Sequence, residues 1–125
     1  MAGARAFLEG WKRLLEELGP GELVITTLPS DEWGRLKGTI RIGSQWLVDV
    51  YLRRDQHDPP DLHRYSVQLR DAEGREVLRY DNAPHHEHLP GAPHHVHDSG
   101  GVAPVIPAPS LRVMIAAVRN TVGEF

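Results

Sequence analysis

Between Leu36 and Leu52 the chain alternates twice, and this period-2 pattern restricts its fold more than anything else in the sequence. Leu36, Gly38, Ile40 and Ile42 interleave with Lys37, Thr39 and Arg41; past Gly43-Ser44, Trp46, Val48, Val50 and Leu52 interleave with Leu47, Asp49, Tyr51 and Arg53. Successive side chains of a strand point to opposite faces, so the alternation sends apolar groups one way and polar groups the other. Gly43-Ser44 suits a tight hairpin turn. The two runs predict an antiparallel pair whose apolar face must be covered.

The flanking segments extend that pair. Leu23 to Leu28 is a short apolar run, and Tyr65, Val67 and Leu69 alternate with Ser66, Gln68 and Arg70. Asp71-Ala72-Glu73-Gly74 has turn composition, after which Arg75 to Tyr80 returns toward Asp81-Asn82. A polar loop, Asp55 to Asp61, carries Pro59-Pro60 at its centre. Residues 22–82 thus predict an antiparallel meander of about five strands. Ahead of it, Phe7, Leu8, Trp11, Leu14, Leu15 and Leu18 recur at helical spacing, and Gly19-Pro20 ends a helix over 1–19. Its Glu9, Lys12, Arg13, Glu16 and Glu17 form a solvated face, so the apolar stripe is expected to cover the sheet. Ser110 caps a second helix over 110–123, with Leu111, Met114, Ile115, Val118 and Val122 on one side. The expected fold is α+β: one domain over 1–125, one sheet with one face covered by helices.

Residues 83–109 interrupt this regularity. Six of the ten prolines fall between 84 and 109, and six of the eight histidines fall between Ala83 and His97. A long aperiodic segment inside a small domain is usually functional or a linker, so this stretch is expected to be a histidine- and proline-rich loop carrying the site.

Composition narrows the function. A net charge of -3 and a pI near 6.2 match a general nucleic-acid binder poorly, so any RNA or DNA contact has to be local. The absence of cysteine excludes disulfides, thiolate zinc sites and cysteine nucleophiles. Glutamates among the first residues are unlike a secretory signal peptide, and no run reaches the ~20 apolar residues of a membrane span. The expected location is the cytoplasm, with no membrane partner.

Clustered imidazoles serve three chemistries. One is metal binding: His86, His95 and His97 are the candidate ligands, with zinc as the candidate ion. Another is general acid–base catalysis, where one group takes a 2′-hydroxyl proton from RNA and another protonates the leaving 5′-oxygen. Arg64, Arg70, Arg75 and Arg79 lie on or beside the strands feeding the loop and are candidates for holding phosphate. Arg70 and Arg79 flank the Asp71–Gly74 turn and are expected to be strand neighbours. Tyr80 and Asp81 would contact a base and orient an imidazole. The third role is structural, imidazoles sealing a sheet edge. Asp55, Asp58 and Asp61 lack the glycine and distal glutamate of an EF-hand and are expected to solvate a turn. His57 and His63 are isolated and carry no assignment.

The stretch "YSVQLRDAEGREVLRYDNAPHHEHLPGAPHHVH", Tyr65 to His97, resembles the signature of the TumE family of toxin–antitoxin proteins. That signature has a Tyr-bearing strand, an Asp-x-x-Gly turn, Arg-Tyr-Asp-Asn-Ala-Pro-His-His and then Pro-His-His-x-His. The matching positions are Arg79, Tyr80, Asp81, Asn82, Pro84, His85 and His86, then Pro93, His94, His95 and His97. Ala92 stands where the pattern has an aromatic and Val96 where it has lysine, so any phosphate contact of that lysine falls to an arginine here. His88 lies outside the pattern. The resemblance implies a small toxin encoded beside an antitoxin protein, and a homodimer is compatible with it. By analogy with other growth-inhibiting toxins the target is RNA. The residues then expected to act are His85, His86, His94, His95 and His97 in proton transfer, Arg79 and Arg70 on charge, and Tyr80, Asp81 and Asn82 in orientation, with no cofactor. The alternative is a metal-binding or protein-interaction module built on the same histidines.

Overall fold

The two alternating runs lie in the middle of an antiparallel sheet. The computed structural model describes residues 3–55, 64–83, 93–105 and 109–123. In chain order the elements are α1 (Ala4–Glu16), β1 (Gly21–Thr27), β2 (Trp33–Ile42), β3 (Trp46–Asp55), β4 (Arg64–Arg70), β5 (Glu76–Asp81), β6 (His95–Asp98), β7 (Gly101–Pro104) and α2 (Leu111–Gly123). The strands form one sheet in the order β1-β2-β3-β4-β5-β6-β7, every neighbouring pair antiparallel. The α+β class, the two terminal helices and the meander agree with the sequence reading. The β2–β3 turn has three residues, Gly43 to Gln45, with Gly43 at φ +58, where a residue without Cβ is unstrained.

The strand count needs correction. The described residues form seven strands, not about five, because β6 and β7 fall inside the stretch expected to be a loop. Each has four residues, and in β6 only Val96, between His95 and His97, is apolar. That is too little alternation to register as a period. What makes these residues strands is pairing: Tyr80↔Val96 against β5 and Val96↔Ala103 against β7. The connecting turn is closed by the Asp98 carboxylate, which accepts from the Gly100 N–H at 2.7 Å, and by Gly101 at φ +108.

Cross-strand register assigns the faces. Leu36, Leu52 and Tyr65 stand directly opposite one another, as do Ile40, Val48, Leu69 and Leu78 along the next aligned positions. All of these are buried, and they form one cluster with Leu8, Trp11 and Leu15 of α1 and Leu111, Met114, Ile115 and Val118 of α2. The helices therefore cover one face, as expected. Ser110 Oγ accepts from the Val113 N–H at 3.2 Å, the cap anticipated at the start of α2. No helix among the described residues is long and apolar enough to cross a membrane.

Among the described residues, the other face carries no helix. Along the strands it presents Arg35, Lys37 and Thr39 of β2, Asp49, Tyr51 and Arg53 of β3, Arg64, Ser66 and Gln68 of β4, Arg79 and Asp81 of β5, and His95 and His97 of β6. Between Leu69 and Arg70 the β4–β5 register slips by one, so Arg70 opposes Glu76 rather than Val77. That bulge puts Glu76 on the open face.

Leu52 sits in a central strand and is 0 % exposed. Leu52→Ala is expected to lower unfolding free energy by about 2 to 5 kcal/mol, the usual cost of a buried Leu→Ala cavity. Equilibrium urea unfolding followed by circular dichroism measures it.

Candidate functional site

The site follows from the pairing of β5 with β6. Arg79 is directly opposite His97, and Asp81 directly opposite His95. Residues two apart on a strand share a face, so all four side chains lie together on the open face, while Leu78 and Tyr80 turn toward the helices.

Asp81 is the hub. Its Oδ2 is 2.9 Å from Arg79 Nε and 3.7 Å from His97 Nε2, and its Oδ1 is 2.8 Å from His95 Nε2. The Ala83 backbone N–H donates to the same Oδ1 at 3.0 Å. Asp81 is 5 % and His95 1 % exposed, while the His97 side chain keeps 15 %. Of the described histidines on this face, His97 is the one that solvent reaches.

The partners fix where the protons are. His95 Nδ1 is 2.8 Å from the Pro93 carbonyl oxygen, which only accepts, so Nδ1 carries a hydrogen. His97 is the reverse case: Arg79 Nη2 is 3.0 Å from its Nε2, and guanidinium only donates. His97 Nε2 therefore accepts, and the ring is neutral with its hydrogen on Nδ1. The two rings meet edge to face with centroids 4.9 Å apart.

Burial holds the His97 pKa below the usual histidine value. The Arg79 guanidinium and His95 push the same way, while the Asp81 and Glu76 carboxylates oppose. Arg79 is held from its other end by Glu76, whose Oε1 is 3.2 Å from Nη1 and also accepts from Gln68 Nε2 at 2.8 Å.

The remaining residues nominated from sequence are distributed differently. His94 is buried under the helices, with Nδ1 2.8 Å from the Tyr65 hydroxyl and the two rings nearly parallel. Burial and the nearby Asp81 carboxylate push the Tyr65 pKa far above the ordinary tyrosine value, so this phenol keeps its proton. Asn82 is buried and its Oδ1 accepts from the Tyr65 N–H at 3.0 Å. Tyr80 packs against the core. His94, Asn82 and Tyr80 thus fasten the end of β4 to β5 and β6 from the covered side. Arg64 is exposed on the open face. Arg70 is bound bidentately to Asp49, and lies diagonal to Arg79 rather than beside it. Arg75 belongs to the Asp71 turn, paired with Asp71 at 3.1 Å and Glu73 at 2.7 Å. His85 and His86 lie outside the described residues. Glu76 was not legible as a site residue, because only the bulge brings it to the open face.

Asp81, His95 and His97 each offer a metal-ligand atom within 4.8 Å of the others. Two imidazoles and a carboxylate suit zinc or a related divalent ion. Asp81 here takes the place proposed for His86. The Arg79 guanidinium already bridges Asp81 and His97, so an ion would have to exchange with it.

Because folding disfavours protonated His97, the unfolded chain binds that proton more tightly. The residue's contribution to stability is complete above about pH 6.5, the unfolded value, and is lost as pH falls through the lower folded value. Arg79→Gln is expected to move the His97 titration upward and Asp81→Asn to move it downward, read from ring-proton chemical shifts. Movement in the same direction in both variants would show that the two charges do not act on this ring as described.

A family model described as Toxin TumE matches residues 16–124. Comparison with curated proteins gives no match, and comparison with solved structures gives none. The matched span contains every strand, the whole Asp81 cluster and α2, and on that extent the chain belongs to the TumE toxin family.

Proposed function

We propose that this TumE-family chain is the toxin of a toxin–antitoxin pair, restrained by an antitoxin protein, and that it cleaves RNA with His97 as general base. The observation that supports this is the Arg79–His97 contact: a neutral, partly exposed imidazole whose accepting nitrogen is 3.0 Å from a guanidinium. An incoming phosphate draws the guanidinium to its oxygens and releases the His97 lone pair. Nε2 then takes the proton of the 2′-hydroxyl, and the 2′-oxygen attacks phosphorus. The bond from phosphorus to the 5′-oxygen breaks, and that oxygen is protonated, leaving a 2′,3′-cyclic phosphate and a 5′-hydroxyl. Arg79 stabilises the charge gathering on the phosphoryl oxygens.

Asp81 and His95 are positioning residues in this scheme. They are buried, and they hold the Arg79 guanidinium and the His97 ring at their angles. The proton donor is assigned to the His85–His86 pair nominated by the sequence. A second reading rests on the close set of Asp81, His95 and His97 ligand atoms: these three would hold a divalent ion in place of the guanidinium, and the ion would supply an activated water.

Induction of the chain without its partner is expected to inhibit bacterial growth, and His97→Ala to relieve the inhibition. In single-turnover cleavage of a short RNA with chelator present, the rate is expected to be bell-shaped in pH. The acid limb lies below about 6.5, because His97 must be neutral and its pKa is lowered. Arg79→Gln moves that limb to higher pH, and His97→Ala lowers the plateau by ~10²- to 10⁴-fold, the range for a proton-transfer group. A single rising limb abolished by chelator would replace this mechanism with the metal one. Unimpaired growth with the wild-type chain would remove the toxin reading itself.

A further inference from the structure

The open face holds an arrangement that the catalytic reading leaves unused. Register places Arg35 directly opposite Arg53, and Arg53 directly opposite Arg64, so three arginines stand in one row across β2, β3 and β4. All three are exposed, and none has an ion pair with another described residue. Lys37 is two residues from Arg35 on the same face and is also exposed. Like charges directly opposite on a sheet destabilise it, and this chain as a whole is acidic, at -3. Four of its fourteen lysines and arginines therefore stand together where they cost stability. Most acids of this face are engaged elsewhere or lie off the row: Asp49 is committed to Arg70, Asp81 and Glu76 to Arg79, and Glu22 is in β1; Asp55, two residues from Arg53, is a single carboxylate beside three arginines and a lysine.

The next row along the same strands runs Lys37, Tyr51, Ser66, Asp81, His95. Tyr51 is half-buried in the middle of the face, beside a depression of about 240 Å³ lined by Lys37, Thr39, Asp49 and Ser66 among others. The row after that ends in Arg79 and His97. The arginine row is thus about 13 Å from the His97 row along the strands, at ~3.3 Å per residue. A flat sheet face with an aromatic ring flanked by cations is a surface for extended, unpaired nucleotides, whose bases stack while their phosphates meet arginine. The depression beside Tyr51 is walled mostly by apolar surface, which suits the face of a base, and the cations around it suit the phosphates on either side.

We propose that Arg35, Arg53 and Arg64, with Tyr51, form a track for single-stranded RNA that leads to His97. This deepens the reading of the chain as an RNA-cleaving toxin and rests on it. The arginines hold consecutive phosphates, Tyr51 stacks on a base, and the strand continues across β5 to Arg79.

The test separates binding from cleavage by using a fluorescent single-stranded oligonucleotide of mixed sequence with 2′-O-methyl riboses, which has no 2′-hydroxyl to react. The full chain is expected to bind it. The triple variant Arg35→Gln, Arg53→Gln, Arg64→Gln should bind at least about tenfold more weakly at moderate salt. Its plot of log affinity against log salt should be shallower by about 2, at ~0.7 per phosphate contact. Tyr51→Ala should weaken binding by about 5- to 150-fold, the range for one stacked base. A matched variant on the helical side, Lys12→Gln, Arg13→Gln, Arg112→Gln, should bind as wild type does. The melting temperature of the first triple variant should not fall, since the opposed charges are relieved. Absence of binding by the wild type, or binding that the triple variant leaves unchanged in strength and salt slope, overturns the track. So does loss of antitoxin binding with RNA binding retained. Binding as expected without cleavage of the ordinary RNA leaves the track standing and sinks the catalytic reading. Cleavage at unaltered KM in the triple variant does the opposite.

Discussion

A carboxylate that is 5 % exposed has to be met by donors and positive charge, or it is not ionised at all. Asp81 is met by Arg79, by His95 and by the Ala83 backbone N–H. Arg79 and the Ala83 N–H are supplied locally, two residues to either side of Asp81, and His95 is placed by the β5–β6 pairing, so the candidate site and the last third of the sheet hold each other in position. Removing the carboxylate would leave a guanidinium among imidazoles, and removing the strand pairing would leave the carboxylate without either histidine. The covered side repeats the logic: Tyr65 meets His94 through its hydroxyl and Asn82 through its backbone N–H, and these contacts anchor the same strand ends from behind. Two polar clusters, one on each face, thus fasten β6 where its own short sequence supplies little apolar surface.

That division also sorts the histidines. Neighbours in a strand face opposite ways, so His94 and His95 cannot share a task even though they are adjacent. His95 and His97 do share a face, but their partners differ: one ring is set between two acceptors and the other against a donor. The result is two like residues in unlike surroundings. Burial first and Arg79 second disfavour charge on His97, and the same guanidinium pairs with Asp81.

The alternation from Leu36 to Leu52 was enough to give the hairpin at the centre of the sheet, and the spaced apolar residues of both terminal segments were enough to give helices that cover it. Those are local patterns repeated over ten or more residues, and their physical cause is burial of one face. β6 and β7 were not legible, because a four-residue strand with one apolar side chain has no period to detect. The histidine cluster stood out in composition as a candidate site, and Arg79, Asp81, His95 and His97, which the structure brings together, were all among its candidates. The sequence could not separate them from His94, Tyr80 and Asn82, which lie within a residue or two of them along the chain but on the other side of the sheet.

What the sequence alone determined is therefore the α+β class, the central meander, the two covering helices and, through the Arg79 to His97 signature, the TumE family. What only the tertiary structure decided is which residues meet. Arg79 and His97 are far apart in sequence and become neighbours through a strand register. Glu76 joins them through a one-residue bulge, and Arg35, Arg53 and Arg64 become a row across three strands. A register is set by the sum of pairings along whole strands, with each face sorted by burial. It belongs to no single stretch of the chain, and so no single stretch could announce it.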